Sequence, residues 1–234
     1  MLFENENEKM LIVAPHPDDE SIGAGGLLTL YGPKCDVLLL TTGQHGHHGG
    51  LSEPEVTKIR KKEISAAINL AKVNKLFTLE IEDTRLYQNK KTVYSFDVKN
   101  YKYIFVPNRF ERNLDHMAVY PILRRMIMLQ KSKATLVEYE VWTPLRKPNL
   151  FIDITAVIDN KRRMISEHKS QIVDCDFANA GIGLSAYRGM FANCEYAEAF
   201  FVCKSPLKDF FKLNESSVLL FARNRKRMLK KKNK

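Results

Sequence analysis

The chain has 234 residues, 44% of them hydrophobic, which suits one α/β domain and excludes a small scaffold that needs disulfides to fold. Its formal charge is +10, but the eight basic residues between Arg223 and Lys234, with no acid among them, carry most of that excess. The body of the chain is therefore close to balanced, which argues against a nucleic-acid-binding body, and no apolar run approaches the roughly 20 residues of a membrane-spanning helix.

Cys35, Cys175, Cys194 and Cys203 form no C-x-x-C pair, so neither a zinc ribbon nor a thioredoxin-like site is suggested. Reduced cysteines in a cytoplasmic protein fit that spread. Residues 1–8 are acidic and lack the basic-then-apolar order of a signal peptide. The block at residues 223–234 reads first as a solvated tail. Weak contact with the anionic inner face of a membrane is the next reading, and nucleic-acid binding the last. We expect one domain over residues 1–222 and a basic tail over residues 223–234.

Residues 10–14 form an apolar run that ends at Pro15 and predicts a buried strand. Residues 20–31 place Ile22, Leu27, Leu28 and Leu30 for a helix, with Gly23, Gly25 and Gly26 allowing close packing. A second strand is predicted at 36–42 and a glycine-rich loop at 43–50. Residues 53–73 carry Val56, Ile59, Ile64, Ala67, Ile68 and Ala71 at helical spacing, with a charged outer face. Strands at 76–81 and 103–107, a helix at 117–130, a strand at 135–142, a helix at 158–172 and a strand at 199–203 follow. Residues 174–198 predict a long surface excursion over the site. Trp142 predicts core or rim packing.

Strands alternating with helices argue a Rossmann-like three-layer α/β sandwich with a mostly parallel central sheet. In such sheets ligands sit beyond the carboxyl ends of the strands. That rule marks residues 16–20, 43–50 and 108–116.

His16-Pro17-Asp18-Asp19-Glu20 gathers three carboxylates and an imidazole at one strand end, an arrangement that repels itself unless a cation sits within it. His16 and Asp19 are ordinary zinc ligands, and a catalytic zinc needs a third. His116, at another strand end on the same rim, is the best candidate; alone it reads equally as a helix-start residue. Asp18, beside a ligand but not one itself, is placed to take a proton from the attacking water as general base. Read in isolation, either aspartate would be a helix N-cap. Glu20 reads as a structural residue at the helix start.

Ala14-Pro15-His16-Pro17-Asp18-Asp19-Glu20 resembles the signature of the LmbE-like, or PIG-L, N-acetylglucosaminyl deacetylase family. The resemblance implies that His16 and Asp19 bind zinc (iron(II) would accept the same set), that Asp18 is the base, and that Asp115-His116 supplies the third ligand. Arg60-Lys61-Lys62-Glu63 resembles the family's R-x-x-E, which implies that Arg60 holds a polar or anionic part of the substrate. Asp153-Ile154-Thr155, Lys161 and His168-Lys169-Ser170-Gln171 resemble further positions whose roles are less defined. The likeness spans roughly residues 10–205. One position departs: where the family often has a histidine three residues before the metal-binding one, this chain has Asn113, which can donate a hydrogen bond to an oxyanion but no acidic proton. Asp18 on its return, or another group such as His47 or His48, would then protonate the leaving amine.

In the Gln44–Gly50 loop, His47 and His48 read as substrate-facing, as a second metal site or as exposed polar residues. His168 reads as structural more readily than catalytic. Tyr187-Arg188 reads either as a grip on a sugar or phosphate or as packing. The expected function is zinc-dependent deacetylation of an N-acetylated amino sugar or its conjugate, in a setting such as surface-glycan biosynthesis by resemblance. A sugar-binding protein of the same fold with weakened catalysis is the alternative, and the oligomeric state is not legible.

Overall fold

The computed structural model describes residues 8–47, 49–173 and 175–203, so His48 and the expected tail at residues 223–234 lie outside it. In chain order the elements are β1 (Lys9–Ala14), α1 (Asp19–Tyr31), β2 (Cys35–Thr41), α2 (Glu53–Leu70), β3 (Lys75–Ile81), α3 (Lys90–Tyr94), β4 (Tyr101–Pro107), α4 (Leu114–Leu129), β5 (Thr135–Tyr139), β6 (Leu150–Asp153), α5 (Ile158–Ser166), α6 (Phe177–Ala192) and β7 (Ala197–Val202). The strands form one sheet in the order β3-β2-β1-β4-β5-β7-β6. The first five run parallel, and β7 is antiparallel to both β5 and β6.

All of β2, and all of β1 after Lys9, is buried. Uninterrupted apolar runs leave both faces of a strand in need of cover, which parallel sheets receive from helices. α1 packs on α2, α5 and α6, while α4 packs on β4 and α3. Right-handed crossovers explain the split. The units β1–α1–β2 and β4–α4–β5 leave the centre of the sheet in opposite directions, so α1 and α4 land on opposite faces. The same divergence opens a crevice between the carboxyl ends of β1 and β4, the switch point at which such sheets hold ligands.

α1 breaks at Ala24 (φ −140°, ψ 19°). Beyond the break, the N–H groups of Gly26 and Leu27 donate to the Glu198 carboxylate of β7 at 2.7 and 2.8 Å. Lys161 of α5 donates to the same carboxylate at 2.7 Å. Gly23 lies so close to β5 that a Cβ there would overlap the Tyr139 ring and the Glu140 carbonyl.

Three expectations change. The expected helix at 158–172 ends at Ser166, because Glu63 draws the next residues into turns by accepting the Ser170 N–H and hydroxyl at 2.7 Å each. The expected excursion at 174–198 is mostly the regular helix α6, capped by Asp176, which accepts the Asn179 N–H at 2.8 Å. Glycines at 181, 183 and 189 weaken the helical pattern there. The strand expected to reach residue 142 stops at Tyr139, where the chain turns so that Val141, Trp142 and Thr143 donate to Glu111.

Candidate metal and catalytic site

The buried run of β1 ends at Pro15, whose carbonyl accepts both the N–H and the hydroxyl of Thr41 on β2, at 3.0 and 2.8 Å. This anchors the strand end from which His16 emerges. The Asp18 carbonyl then accepts the N–H groups of Ser21 and Ile22 at 3.0 Å each and opens α1. Four residues therefore turn a strand into a helix between Ala14 and Asp19. On the other side, Asn113 caps α4: its Oδ1 accepts the N–H groups of Asp115 and His116 at 2.8 and 3.3 Å and starts the helix with His116 in its first turn.

These two strand ends bring three donor atoms together. His16 Nδ1 lies 3.1 Å from His116 Nε2 and 3.4 Å from Asp19 Oδ2, and His116 Nε2 lies 3.2 Å from Asp19 Oδ2. Bonds of about 2.0–2.1 Å to a tetrahedral zinc imply donor separations of about 3.3–3.4 Å. The triangle therefore has the size of one face of such a tetrahedron, and its donor set of two imidazoles and a carboxylate suits a divalent ion. Among the described residues, the buried Asp19 Oδ1 and His116 Nδ1 have no hydrogen-bond partner.

The surroundings favour positive charge at the triangle. Burial alone would lower the His16 pKa, but hydrogen bonds to Asp115 and Asp19 and the charges of Asp19 and Asp83 lift it to about 10. Burial alone would raise Asp19, yet His116 and His16 hold it well below the usual carboxylate range. His16 Nε2 lies 3.2 Å from Asp115 Oδ2. With the proton on Nε2, Nδ1 turns a lone pair toward the triangle, the usual way a carboxylate orients a metal-binding histidine. Asp115 also accepts the Thr84 and Leu86 N–H groups at 2.6 and 3.3 Å. His16, Asp83 and Asp115 form a second trio close enough to hold an ion. Asp83, however, already accepts the Gly43 and His45 N–H groups at 2.8 and 3.1 Å. Backbone donors thus occupy both carboxylates of this trio; Asp115 contacts His16 directly, and Asp83 acts on it through its charge.

Asp18 stands beside the triangle with φ 155° and ψ −27°, a conformation L residues rarely adopt. Burial raises its pKa to about 6, opposed by the charge of Arg60. Arg60 of α2 is itself buried. It donates to Asp18 Oδ2 at 3.1 Å, to the Pro17 carbonyl at 2.9 Å and to the Gly43 carbonyl at 2.8 Å. The guanidinium expected to meet substrate thus points at the protein's own carboxylate and loop carbonyls. Glu20 accepts the Asp18 N–H at 3.2 Å and the Ser21 hydroxyl at 2.6 Å, with His168 Nε2 3.2 Å away. Burial would lower His168, but hydrogen bonding to Glu20 and the charges of Glu20 and Asp18 raise it.

The remaining candidates are dispersed. His47 is exposed on the loop after β2, its N–H donating to Gln171 Oε1 at 3.1 Å, and it belongs to neither metal-capable trio. Arg188 is buried in α6, paired with Glu140 and donating to the Leu145 carbonyl at 2.8 Å. α6 lies against β7 and α5, and there Arg188 lines a cavity together with Gly23, Trp142 and Phe177. Sequence reasoning passed over Asp83 and the orienting role of Asp115. The rule that marked the other strand ends would have found Asp83, two residues past β3.

The sequence model of the GlcNAc-PI de-N-acetylase (PIG-L) family matches residues 11–127. Diacetylchitobiose deacetylase of Thermococcus kodakarensis is 28% identical over 190 residues, 71% of each chain. A probable N-acetyl-alpha-D-glucosaminyl L-malate deacetylase 2 of Bacillus cereus is 28% identical over 182 residues, 69% of this chain and 83% of that one. The solved N,N'-diacetylchitobiose deacetylase of Pyrococcus horikoshii has the same fold, with a TM-score of 0.75 at 23% identity, covering 89% of this chain and 92% of that one.

Proposed function

The chain belongs to the GlcNAc-PI de-N-acetylase (PIG-L) family, and from that premise we propose that it is a metal-dependent amidohydrolase that removes the acetyl group from an N-acetylated amino sugar or its conjugate. One observation carries the reading: His16 Nδ1, Asp19 Oδ2 and His116 Nε2 form a triangle of 3.1–3.4 Å sides at the switch point, with the buried carboxylate of Asp18 beside it. The deacetylases among its relatives support the acetyl sugar as substrate.

These three residues would hold the ion. Zinc is the first choice for the donor set, and iron(II) fits it too. A bound ion supplies a Lewis acid for the amide carbonyl and a lowered pKa for water. Asp18, with a pKa of about 6, is ionised near neutrality and takes a proton as water adds to the carbonyl. Arg60 and the contact of Glu20 with the Asp18 N–H fix that carboxylate in place. Collapse breaks the C–N bond, and Asp18 returns its proton to the departing amine, giving acetate and a free amino sugar. Asn113 caps α4 through Oδ1, and its Nδ2 still offers two donors to an oxyanion. His47 and His48 stand as the substrate-facing candidates of their loop. Arg60 serves instead as a positioning group for Asp18.

The test is acetate release from a panel of N-acetylamino sugars and nucleotide-linked conjugates. The wild type should turn over at least one of them, with a loss of about 10²–10⁴ in Asp18→Ala. His116→Ala should fall to the background rate. A wild type no faster than these variants across the panel would reject the reading. A sugar-binding protein without turnover would instead bind a sugar in calorimetry and release no acetate.

A further inference from the structure

α6 does not seal the part of the fold that it covers. A cavity of about 170 Å³ lies between it, the first turns of α1, α5, β7 and the turn after β5. None of His16, Asp18, Asp19 and His116 lines it, so it is separate from the metal triangle. Trp142 and Phe177 supply aromatic wall, and four buried charged residues, Glu140, Lys161, Arg188 and Glu198, line the same space. Trp142 is 46% exposed and meets the Phe177 ring edge to face at 4.9 Å, so this aromatic pair marks the solvent side of the cavity.

The acids of this lining are engaged, whereas the cations keep donors to spare. Glu140 accepts the Leu145 N–H at 2.6 Å and both Nε and Nη2 of Arg188. Glu198 accepts the Gly26 and Leu27 N–H groups and the Lys161 ammonium at 2.7, 2.8 and 2.7 Å. Arg188 Nη2 also donates to the Leu145 carbonyl, but Nη1 has no hydrogen-bond partner among the described residues. Lys161 Nζ donates to Glu198 alone, with one of its three N–H groups. Two N–H groups of each buried cation are thus left over, where buried donors are ordinarily paired. A carboxylate matches them, since it accepts at about four lone-pair positions and forms the strong, charge-assisted kind of hydrogen bond. The space suits an apolar body beside it, since a cavity of about 150 Å³ holds a benzene ring. We propose that this cavity is a binding site for a small carboxylate with an apolar body, its oxygens taken by Arg188 and Lys161 and its body set against Trp142 and Phe177. The inference rests on the cavity and not on the reaction, so it fails or stands independently of the deacetylase reading.

Trp142 is the chain's single tryptophan, so its emission reports on the cavity directly. The full-length protein is titrated with benzoate, with benzamide as its uncharged match, and with acetate as a carboxylate without the ring, by Trp142 emission and by calorimetry. A carboxylate also ligates metal ions, so the benzoate titration is repeated on His116→Ala, which lacks one corner of the triangle. Benzoate should saturate one site and shift Trp142 emission alike in the wild type and in His116→Ala. Benzamide and acetate should each bind about tenfold more weakly or worse, the scale of one charge-assisted hydrogen bond. Arg188→Lys keeps a cation opposite Glu140 but removes Nη1. Ala180→Leu narrows the cavity from an exposed position of α6 that tolerates a larger side chain. Each variant, folded by circular dichroism, should weaken benzoate about tenfold. Benzoate binding that disappears in His116→Ala would belong to the metal site and overturn the proposal. So would benzamide binding as tightly as benzoate, folded Arg188→Lys and Ala180→Leu proteins that bind as the wild type does, or a wild type that no benzoate saturates, which would leave the cavity to water.

Discussion

Asp18 combines a rarely adopted backbone conformation, a buried carboxylate and a pKa raised to about 6 by burial. Such backbone strain costs about 1–3 kcal/mol and persists only where the surroundings over-determine it. Here Arg60 and Glu20 do so, one through the carboxylate and the other through the backbone N–H. Replacing Arg60 should therefore act on the chemistry more than on binding. Arg60→Ala should lower kcat by roughly ten- to a hundredfold, within the range of a general base's contribution, with KM little changed and partial recovery in Arg60→Lys. A rise in KM at constant kcat would return Arg60 to the substrate-holding role that the family resemblance implies. Asp115 acts one step further out, on His16. Asp115→Asn keeps the shape but removes the charge that orients the imidazole, so metal affinity should fall about 10–100-fold. Competition with a chelating dye measures this, and an unchanged affinity would remove Asp115 from the site's support.

At the scale of elements, α1 is the pivot, since it begins at the site and its middle is wedged among β5, β7 and α5. Gly23→Ala would drive a methyl group into Tyr139 and the Glu140 carbonyl. The expected loss is about 1–3 kcal/mol in denaturant unfolding; a variant as stable as the wild type would mean that β5 yields easily. Elements whose signal is local were legible in the sequence. β1 and β2 declare themselves by buried apolar runs, and α2 by its apolar spacing; the Ser52–Glu55 capping box that starts it was not read from the sequence. α6 was not legible, because three glycines weaken its helical pattern: Gly181 meets Ile165 of α5 and Gly189 the turn after the helix, while a Cβ at Gly183 would meet nothing. The site divides in the same way. His16, Asp19 and His116 could be named because each follows a strand end, and the sheet rule alone brings those ends together. The partners of Arg60 and Arg188 lie far off in sequence, so one sequence gave no sign that Asp18 and Glu140 would claim their guanidinium groups.

At the scale of the whole molecule, the site joins two halves of the sheet that diverge from each other. His16 and Asp19 belong to the β1–α1 unit and His116 to the β4–α4 unit, so an ion held among them cross-links the two crossovers at the switch point. Unfolding would separate these ligands, and an ion that binds only the folded chain stabilises it by mass action. At a free concentration of a hundred times its Kd, the gain is about 2.7 kcal/mol. For a chain of 234 residues, each kcal/mol moves the melting temperature by about 2–4 °C. Zinc at that excess should therefore raise the melting temperature of chelator-treated protein by about 5–10 °C. His116→Ala leaves one ligand missing from the triangle, so its melting temperature should respond to neither zinc nor chelator. Differential scanning calorimetry of both proteins, with and without a chelator, decides the matter. A wild type whose melting temperature is indifferent to metal, or a His116→Ala protein that still gains the full shift, would mean that the triangle does not hold the ion.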